Sequence, residues 1–474
     1  MAINPRPHII IDMGPAGLAA AARLKGTGIH FTIIDGGKAV QDRDRQLPED
    51  ATRGHGGAGL FSDGKFSFFP SASELWSLPR GGDLREAYDW TCDVLNRAGL
   101  ETPPFPSNPD AYSVAGMVES EHWKLKDYPS DYLSLDARLK LVRDMVADID
   151  GAVMNECNVQ SATYHPDTDS FSVVVEHRAT GRKTCFTANR LLVATGRFGP
   201  LEASLREMTA HHHFRRLEVG FRIQQCSERA FFRSMPQLDP KFRVRETEGS
   251  VEWRTFYVCR QGETCLTETN GLWTVSGRSD CPPTGRSDTG FHTRILDEQL
   301  ARKSLDRVLE AMTRPEAHFE LFAQGLLRGD AEVVAALEGV YGPELVGKMT
   351  DGLRRLAGTY GDRGSDEEAT LIGPTLEGVG WYPKVDGNLR LLDAPVWVVG
   401  DACGLFRGIV AAMISGHYAA ASAIEELVQG AEVRLAALAD QTPIEMAMSS
   451  VKLCLSKLPA AIACDGPCCS LVCM

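Results

Sequence analysis

The sequence predicts an α/β protein in three parts: a parallel-sheet domain assembled from segments far apart in the chain, a mixed α+β domain between them, and a helical, cysteine-rich C-terminal tail. Three observations predict it. Residues 8–35 read strand, glycine turn, small-residue helix, strand. Residues 394–427, APVWVVGDACGLFRGIVAAMISGHYAAASAIEEL, repeat the strand, turn and helix. Between these two stretches lies a strand-rich region followed by a helical one.

In the first stretch Ile9 to Ile11 stop at a turn holding Gly14 and Gly17, and a helix follows with Ala21 towards the strand. Gly28 then leads to a second apolar strand that closes on Asp35. That βαβ length suits a dinucleotide: one helix N-terminus meets a pyrophosphate while the end of the second strand reaches a ribose. Gly14 lets backbone approach phosphate oxygens, Gly17 lets helix and strand pack closely, and free N–H groups with the helix dipole attract the diphosphate. The first glycine of G-x-G-x-x-G is replaced by Asp12. A carboxylate beside a pyrophosphate is unfavourable by about 1–4 kcal/mol, for unit charges ~4 Å apart at an effective dielectric of about 80 to 20. Three readings stay open: the side chain turns away, binding is weakened, or the cofactor is lost.

The chain of 474 residues has core enough for two or three domains, and its net charge of −13 argues against nucleic acid or an anionic membrane as partner. MAINPRPH runs straight into the first strand, and no apolar stretch approaches the ~18–20 residues of a membrane span. A cytoplasmic protein is expected. Of thirteen cysteines, nine are scattered and read as reduced thiols, while Cys464, Cys468, Cys469 and Cys473 crowd into CDGPCCSLVC.

After Asp35 a polar loop leads to GHGGAGLFSDGKFSFF at 54–69. With no strand before it and no helix pattern after it, this is not a second nucleotide fold. Its glycines suit either backbone brought flat against a ligand or a merely flexible loop. Residues 82–150 read as a helical insertion, and 152–194 as a β-meander ending in a buried strand at Ala194-Thr195-Gly196. Residues 215–275 are strand-rich and 294–358 helical. The expected division is therefore 1–200, 201–385, a return segment 386–430 and a tail 431–474. Adjacent His211, His212 and His213 do not converge on one ion, so no metal is assigned. In the return segment an Asp after a buried strand, Asp401, suits a polyol chain, and the helix N-terminus suits an electron-rich ring edge.

Together the βαβ unit, the glycine loop at 54–65, LLVATG at 191–196 and WVVGD at 397–401 resemble the FAD-dependent oxidoreductase superfamily with the glutathione-reductase-like, Rossmann-like FAD fold. More narrowly, GGAGLFSDGK, RTFYVC and WYPKVDGNLRL…VVGD look like poorly characterised bacterial FAD-dependent dehydrogenases. The resemblance covers about 8–427 and brings no substrate with it. It implies that Gly14, Pro15, Ala16 and Gly17 hold the pyrophosphate of FAD and Asp35 its adenosine ribose. Gly56, Gly57, Ala58, Gly59, Ser62 and Asp63 would lie along the flavin face, with Thr195 and Gly196 near the adenosine half. Gly400 and Asp401 would meet the ribityl chain, and Gly408 and Ile409 the flavin N1–O2 edge.

No second nicotinamide-binding unit appears in 201–385. Either a small organic substrate reduces the flavin directly, as in a dehydrogenase or oxidase, or NAD(P)H visits it before O2, as in a monooxygenase. A non-enzymatic protein that has lost FAD is the third reading. Polar groups expected near the chemistry are His55, Lys65, Arg254, Tyr257, Cys403 and Arg407, with Lys65, Cys403 and His55 the catalytic candidates. For the four tail cysteines a soft metal, a thiol relay and an incidental end stay open.

Overall fold

The computed structural model describes residues 8–108, 122–126, 128–361 and 368–439, and for 430–439 the backbone only. The chain divides into a unit over Met1–Ser422 and a second over Ala423–Met474. Of the second, the described part is the end of the helix Ile409–Ala439. The tail cysteines lie outside the described residues. Among the described residues no helix is long and apolar enough to cross a membrane.

The mixed α/β fold expected from the sequence is the one observed. A five-stranded parallel sheet has the order Val396–Val398, Leu191–Val193, β1 (His8–Ile11), β2 (Phe31–Ile34), Ala152–Met154. Ile10, Ile33, Val193 and Val398 are fully buried, as a sheet covered on both faces requires. From β1 the chain passes through α1 (Pro15–Leu24) to β2 on one side, and the Leu191–Val193 strand pairs with β1 on the other. The carboxyl end of β1 is thus the point where strand order reverses, which is where open α/β sheets bind ligands. Close backbone contacts fix the helices around it. A Cβ on Gly17 would lie 2.0 Å from the Asp12 carbonyl oxygen, and one on Gly416 would lie 2.0 Å from that of Ala16. The first brings α1 onto the turn, and the second brings Ile409–Ala439 onto α1.

The strands expected between 215 and 275 belong partly to a seven-stranded antiparallel sheet. Its order is Phe319–Phe322, Thr370–Pro383, His212–Cys226, Arg286–Ile295, Val251–Cys259, Lys241–Arg245, Lys124–Lys126. Alternation splits its side chains between two faces. Leu217, Val219, Trp253 and Phe291 join one core with Leu300, Val308 and Met349 of the helices Glu298–Met312 and Pro343–Tyr360. Truncating Phe291 there would cost about 3–5 kcal/mol. The opposite face is charged.

Four strands depart from the expected pattern. Lys124–Lys126 and Ser130–Tyr132 fall inside the region read as a helical insertion, where the helices Gly81–Arg97 and Leu135–Ala147 are also found. Three residues are too few to show a period. Arg286–Ile295 offers only Phe291 and Ile295 as large apolar residues, and Thr370–Pro383 is interrupted by glycines and Pro374, so neither reads as a strand.

Candidate functional site

A cavity of about 820 Å³ opens at the carboxyl ends of the parallel strands and extends to the charged face of the antiparallel sheet. Its size is that of a site for a small molecule or cofactor.

At the turn after β1, Asp12 stands at φ +84°. For a residue other than glycine this left-handed conformation costs about 1–2 kcal/mol. The side chain offsets part of that cost, because Oδ1 accepts the Gly14 amide at 2.7 Å. An amide that a phosphate oxygen would use is therefore already held by the protein's own carboxylate. Burial raises the Asp12 carboxyl well above its usual range, and the charge of Asp35 raises it further. Asp35, 1% exposed, accepts the Met13 amide through Oδ2 at 2.8 Å and the Gly37 amide through Oδ1 at 2.6 Å. It braces the turn from behind and is not among the residues that line the cavity.

The return segment reaches the same cavity. Gly14 and Asp401 both line it, as do Gly400, Gly408 and Ile409. A Cβ on Gly59 would lie 3.0 Å from Ile409 Cγ1, so the glycine loop is packed against the start of the last helix. Asp401 accepts Arg197 Nε at 3.0 Å and Arg407 Nε at 3.4 Å through Oδ2. Its Oδ1 is buried with no hydrogen-bond partner among the described residues. A buried acceptor left open in a cavity wall is suited to the hydroxyl of a polyol. The first turn of Ile409–Ala439 adds N–H groups with no partner inside the helix. These features fit the ribityl chain and ring edge of FAD, whereas the Asp12 turn fits its pyrophosphate only once the carboxylate gives up the Gly14 amide.

On the sheet side, Glu218 is 1% exposed and accepts Arg254 Nη1 at 2.7 Å, Arg294 Nε at 3.0 Å and Arg216 Nε at 3.2 Å. Burial works to raise its carboxyl, yet Arg254 and Arg294 hold it well below the usual carboxylate range. Glu377 sits at about 2: burial opposes the shift, and Arg197 at 2.8 Å and Arg407 at 2.7 Å overcome it. Lys65 Nζ lies 3.0 Å from Asp239 Oδ2. Tyr257 lines the cavity at φ +49°, its carbonyl held by Arg222 Nη2 at 2.5 Å.

Of the cofactor residues implied by the resemblance, Gly14, Pro15, Ala16, Thr195 and Gly196 line the cavity, as do Gly57, Ala58, Gly59 and Ser62. Gly17, Gly56 and Asp63 do not: Gly17 is a packing glycine, a Cβ on Gly56 would meet Val142 Cγ2 at 2.8 Å, and Asp63 Oδ1 accepts the Lys65 amide at 3.2 Å. Among the three catalytic candidates only Lys65 reaches the cavity. His55 is 3% exposed and bonded through Nε2 to Asn155 Oδ1 at 2.6 Å, behind the glycine loop. Cys403 is fully buried, donates to the Gly400 carbonyl at 3.3 Å, and has its thiol pushed up to about 12, chiefly by burial. Neither is placed to react. Arg254, Tyr257 and Arg407 do line the cavity.

The sequence reading missed Glu218, Arg216, Arg294 and Glu377. For Arg216 and Glu218 the signal was present in RLEVGF, where a charged set alternates with a core-facing set, whereas Arg294 and Glu377 lie in strands without that alternation. Charges on a strand face usually mean solvent, and here that face is roofed by the parallel-sheet region.

No family model matches the sequence, and no curated protein matches it. Among solved structures, the chain is similar to a flavoprotein/dehydrogenase from Cytophaga hutchinsonii at 12% identity, over 89% of this chain and 79% of that one, with a TM-score of 0.36. A myxobacterial chondrochloren halogenase, described as a variant of FAD-dependent halogenases, gives 12% identity, 94% and 78% coverage and a TM-score of 0.38. A geranylgeranyl bacteriochlorophyll reductase-like protein from Thermoplasma acidophilum gives 11%, 95%, 83% and 0.40. At such identities and TM-scores the functional reading rests on the site itself.

Proposed function

We propose that this chain is an FAD-dependent oxidoreductase in which a small organic substrate exchanges a hydride with flavin N5, as a dehydrogenase or oxidase. The observation that carries the reading is the open, buried Oδ1 of Asp401 in the wall of the cavity that Gly14 also lines. FAD bound there would supply a hydride acceptor, so the protein need only orient the substrate and handle a proton. Asp401 would hold a ribityl hydroxyl, and the first turn of Ile409–Ala439 would face the ring edge where negative charge collects on reduction. Lys65 and Tyr257 are among the cavity-lining groups able to hold or move a proton, at Nζ and at the phenol oxygen. The cysteines among the described residues form no disulfide, which supports a reducing compartment, the cytoplasm.

FAD titration followed by anaerobic mixing tests the reading. Saturable binding, with slow or no reduction by NADPH, supports a dehydrogenase or oxidase. Fast reduction by NADPH redirects the assignment to a monooxygenase. A second reading is favoured by one observation, the capture of the Gly14 amide by Asp12: a flavoprotein fold that binds partners without cofactor. Protein that takes no FAD until Asp12 is replaced by glycine supports that alternative.

A further inference from the structure

The charged face of the seven-stranded sheet carries more positive charge than the chemistry above uses. In the strand register Arg243 stands directly opposite Arg254, and Lys126 directly opposite Lys241. Like charges facing each other across strands are destabilising. Arg254 has Glu218 at 2.7 Å, and Lys241 has Asp239 at 3.5 Å. Lys126 and Arg243 line the same cavity and have no carboxylate partner among the described residues. The Lys126 ammonium is pushed down to about 7 by burial and by Arg254, Arg294, Lys241 and Arg243 around it. An anion bound among these cations would relieve the crowding. The chain as a whole carries −13, so this recess is an attractive exception on a surface that otherwise repels anions.

We infer that the end of the cavity formed by Lys126, Arg243, Arg254 and Arg294 binds the oxyanion, carboxylate or phosphate, of a small organic substrate. Identifying that molecule with the hydride-exchanging substrate rests on the flavoenzyme reading, whereas the anion site itself does not. Two groups make the site directional. Glu218 holds Arg254 Nη1 and Arg294 Nε, and Glu252, which also lines the cavity, takes Arg294 Nη1 at 3.2 Å, so both guanidiniums are oriented before the ligand arrives, and planar guanidiniums grip carboxylate or phosphate through the donors left over. Arg243 contributes uncompensated charge, and Lys126 adds its own when a bound anion favours its protonated form.

Calorimetric titration of the protein, as purified and after incubation with FAD, tests the site with four anions: succinate, citrate, glycerol 3-phosphate and inorganic phosphate. Succinamide is the uncharged control. Saturable binding of at least one anion is expected, at least about tenfold weaker in Arg243→Gln and in Lys126→Gln. Arg243→Lys should recover most of the binding, succinamide should not bind, and FAD affinity should be the same in both Gln variants as in the parent. Carboxylates binding alone, or phosphates alone, identifies the oxyanion. Binding of none of the four anions overturns the proposal. So does a loss of FAD affinity in the Gln variants with anion binding intact, because the cations would then belong to the cofactor. Anion binding that depends on Lys126 and Arg243 in a protein that takes up no FAD leaves the site standing and removes the flavoenzyme reading.

Discussion

Asp12 Oδ1 accepts the Gly14 amide at 2.7 Å, so the turn that should greet a pyrophosphate is occupied by an oxyanion of the chain itself. Asp12→Gly frees that amide, removes a charge from beside the phosphates and places glycine at φ +84°. FAD affinity should rise by about 1–4 kcal/mol, read by quenching of flavin fluorescence on binding. An unchanged dissociation constant would show that the carboxylate swings clear at no cost.

The same carboxyl gives a pH dependence with a definite sign. Its folded-state pKa is raised above the ordinary value of 3.8, first by burial and then by Asp35. The folded protein therefore holds this proton more tightly than the unfolded chain does. The cost to stability starts as pH rises past the unfolded value and is complete above the folded one. Asp12→Asn should raise the melting temperature at neutral pH and change it little in acid. FAD affinity of the parent should fall as pH rises through the folded value, and that slope should vanish in Asp12→Asn.

Glu218 balances three arginines from a site 1% exposed. Glu218→Gln removes the carboxylate that all three share and leaves Glu252 alone beside Arg254 and Arg294. A loss of about 3–5 kcal/mol is expected from breaking a buried ion pair on one side, measured by urea unfolding. A loss below about 1 kcal/mol would mean that water screens this part of the sheet.

Cys403 follows the Gly400-Asp401 turn, yet its thiol is closed off and held up at about 12 by burial. Iodoacetamide at mildly alkaline pH should modify the exposed Cys185 and spare Cys403 in the folded protein, as peptide mass mapping would show. Cys403→Ala should cost about 1 kcal/mol of stability and leave FAD binding intact. Rapid labelling of Cys403 would return it to the list of reactive groups.

The parallel-sheet half of the fold was legible because its signals are local. Ile9 to Ile11, Gly14, Gly17 and the small-residue helix lie within one βαβ unit, and the return segment repeats the pattern. At Asp35 the spacing that reaches a ribose also lets a carboxylate turn inward onto the Met13 and Gly37 amides, which spacing alone does not distinguish. His55 and Cys403 misled because a polar residue beside a glycine turn is as easily folded behind the wall as placed in it. The sheet side of the site was illegible for a different reason. Glu218, Arg254, Arg294 and Glu377 meet only through strand register, and two of the strands that carry them, Arg286–Ile295 and Thr370–Pro383, lack the apolar alternation that would have disclosed them.

The most direct measurement is FAD titration of the purified protein beside Asp401→Ala and Asp12→Gly, followed by flavin absorbance and fluorescence. Saturable binding at one FAD per chain is expected, weakened by about 1.5–3 kcal/mol in Asp401→Ala, where a charged hydrogen-bond acceptor is lost, and strengthened in Asp12→Gly. Failure of the parent and of Asp12→Gly alike to take up FAD would contradict the assignment of this cavity to a flavin.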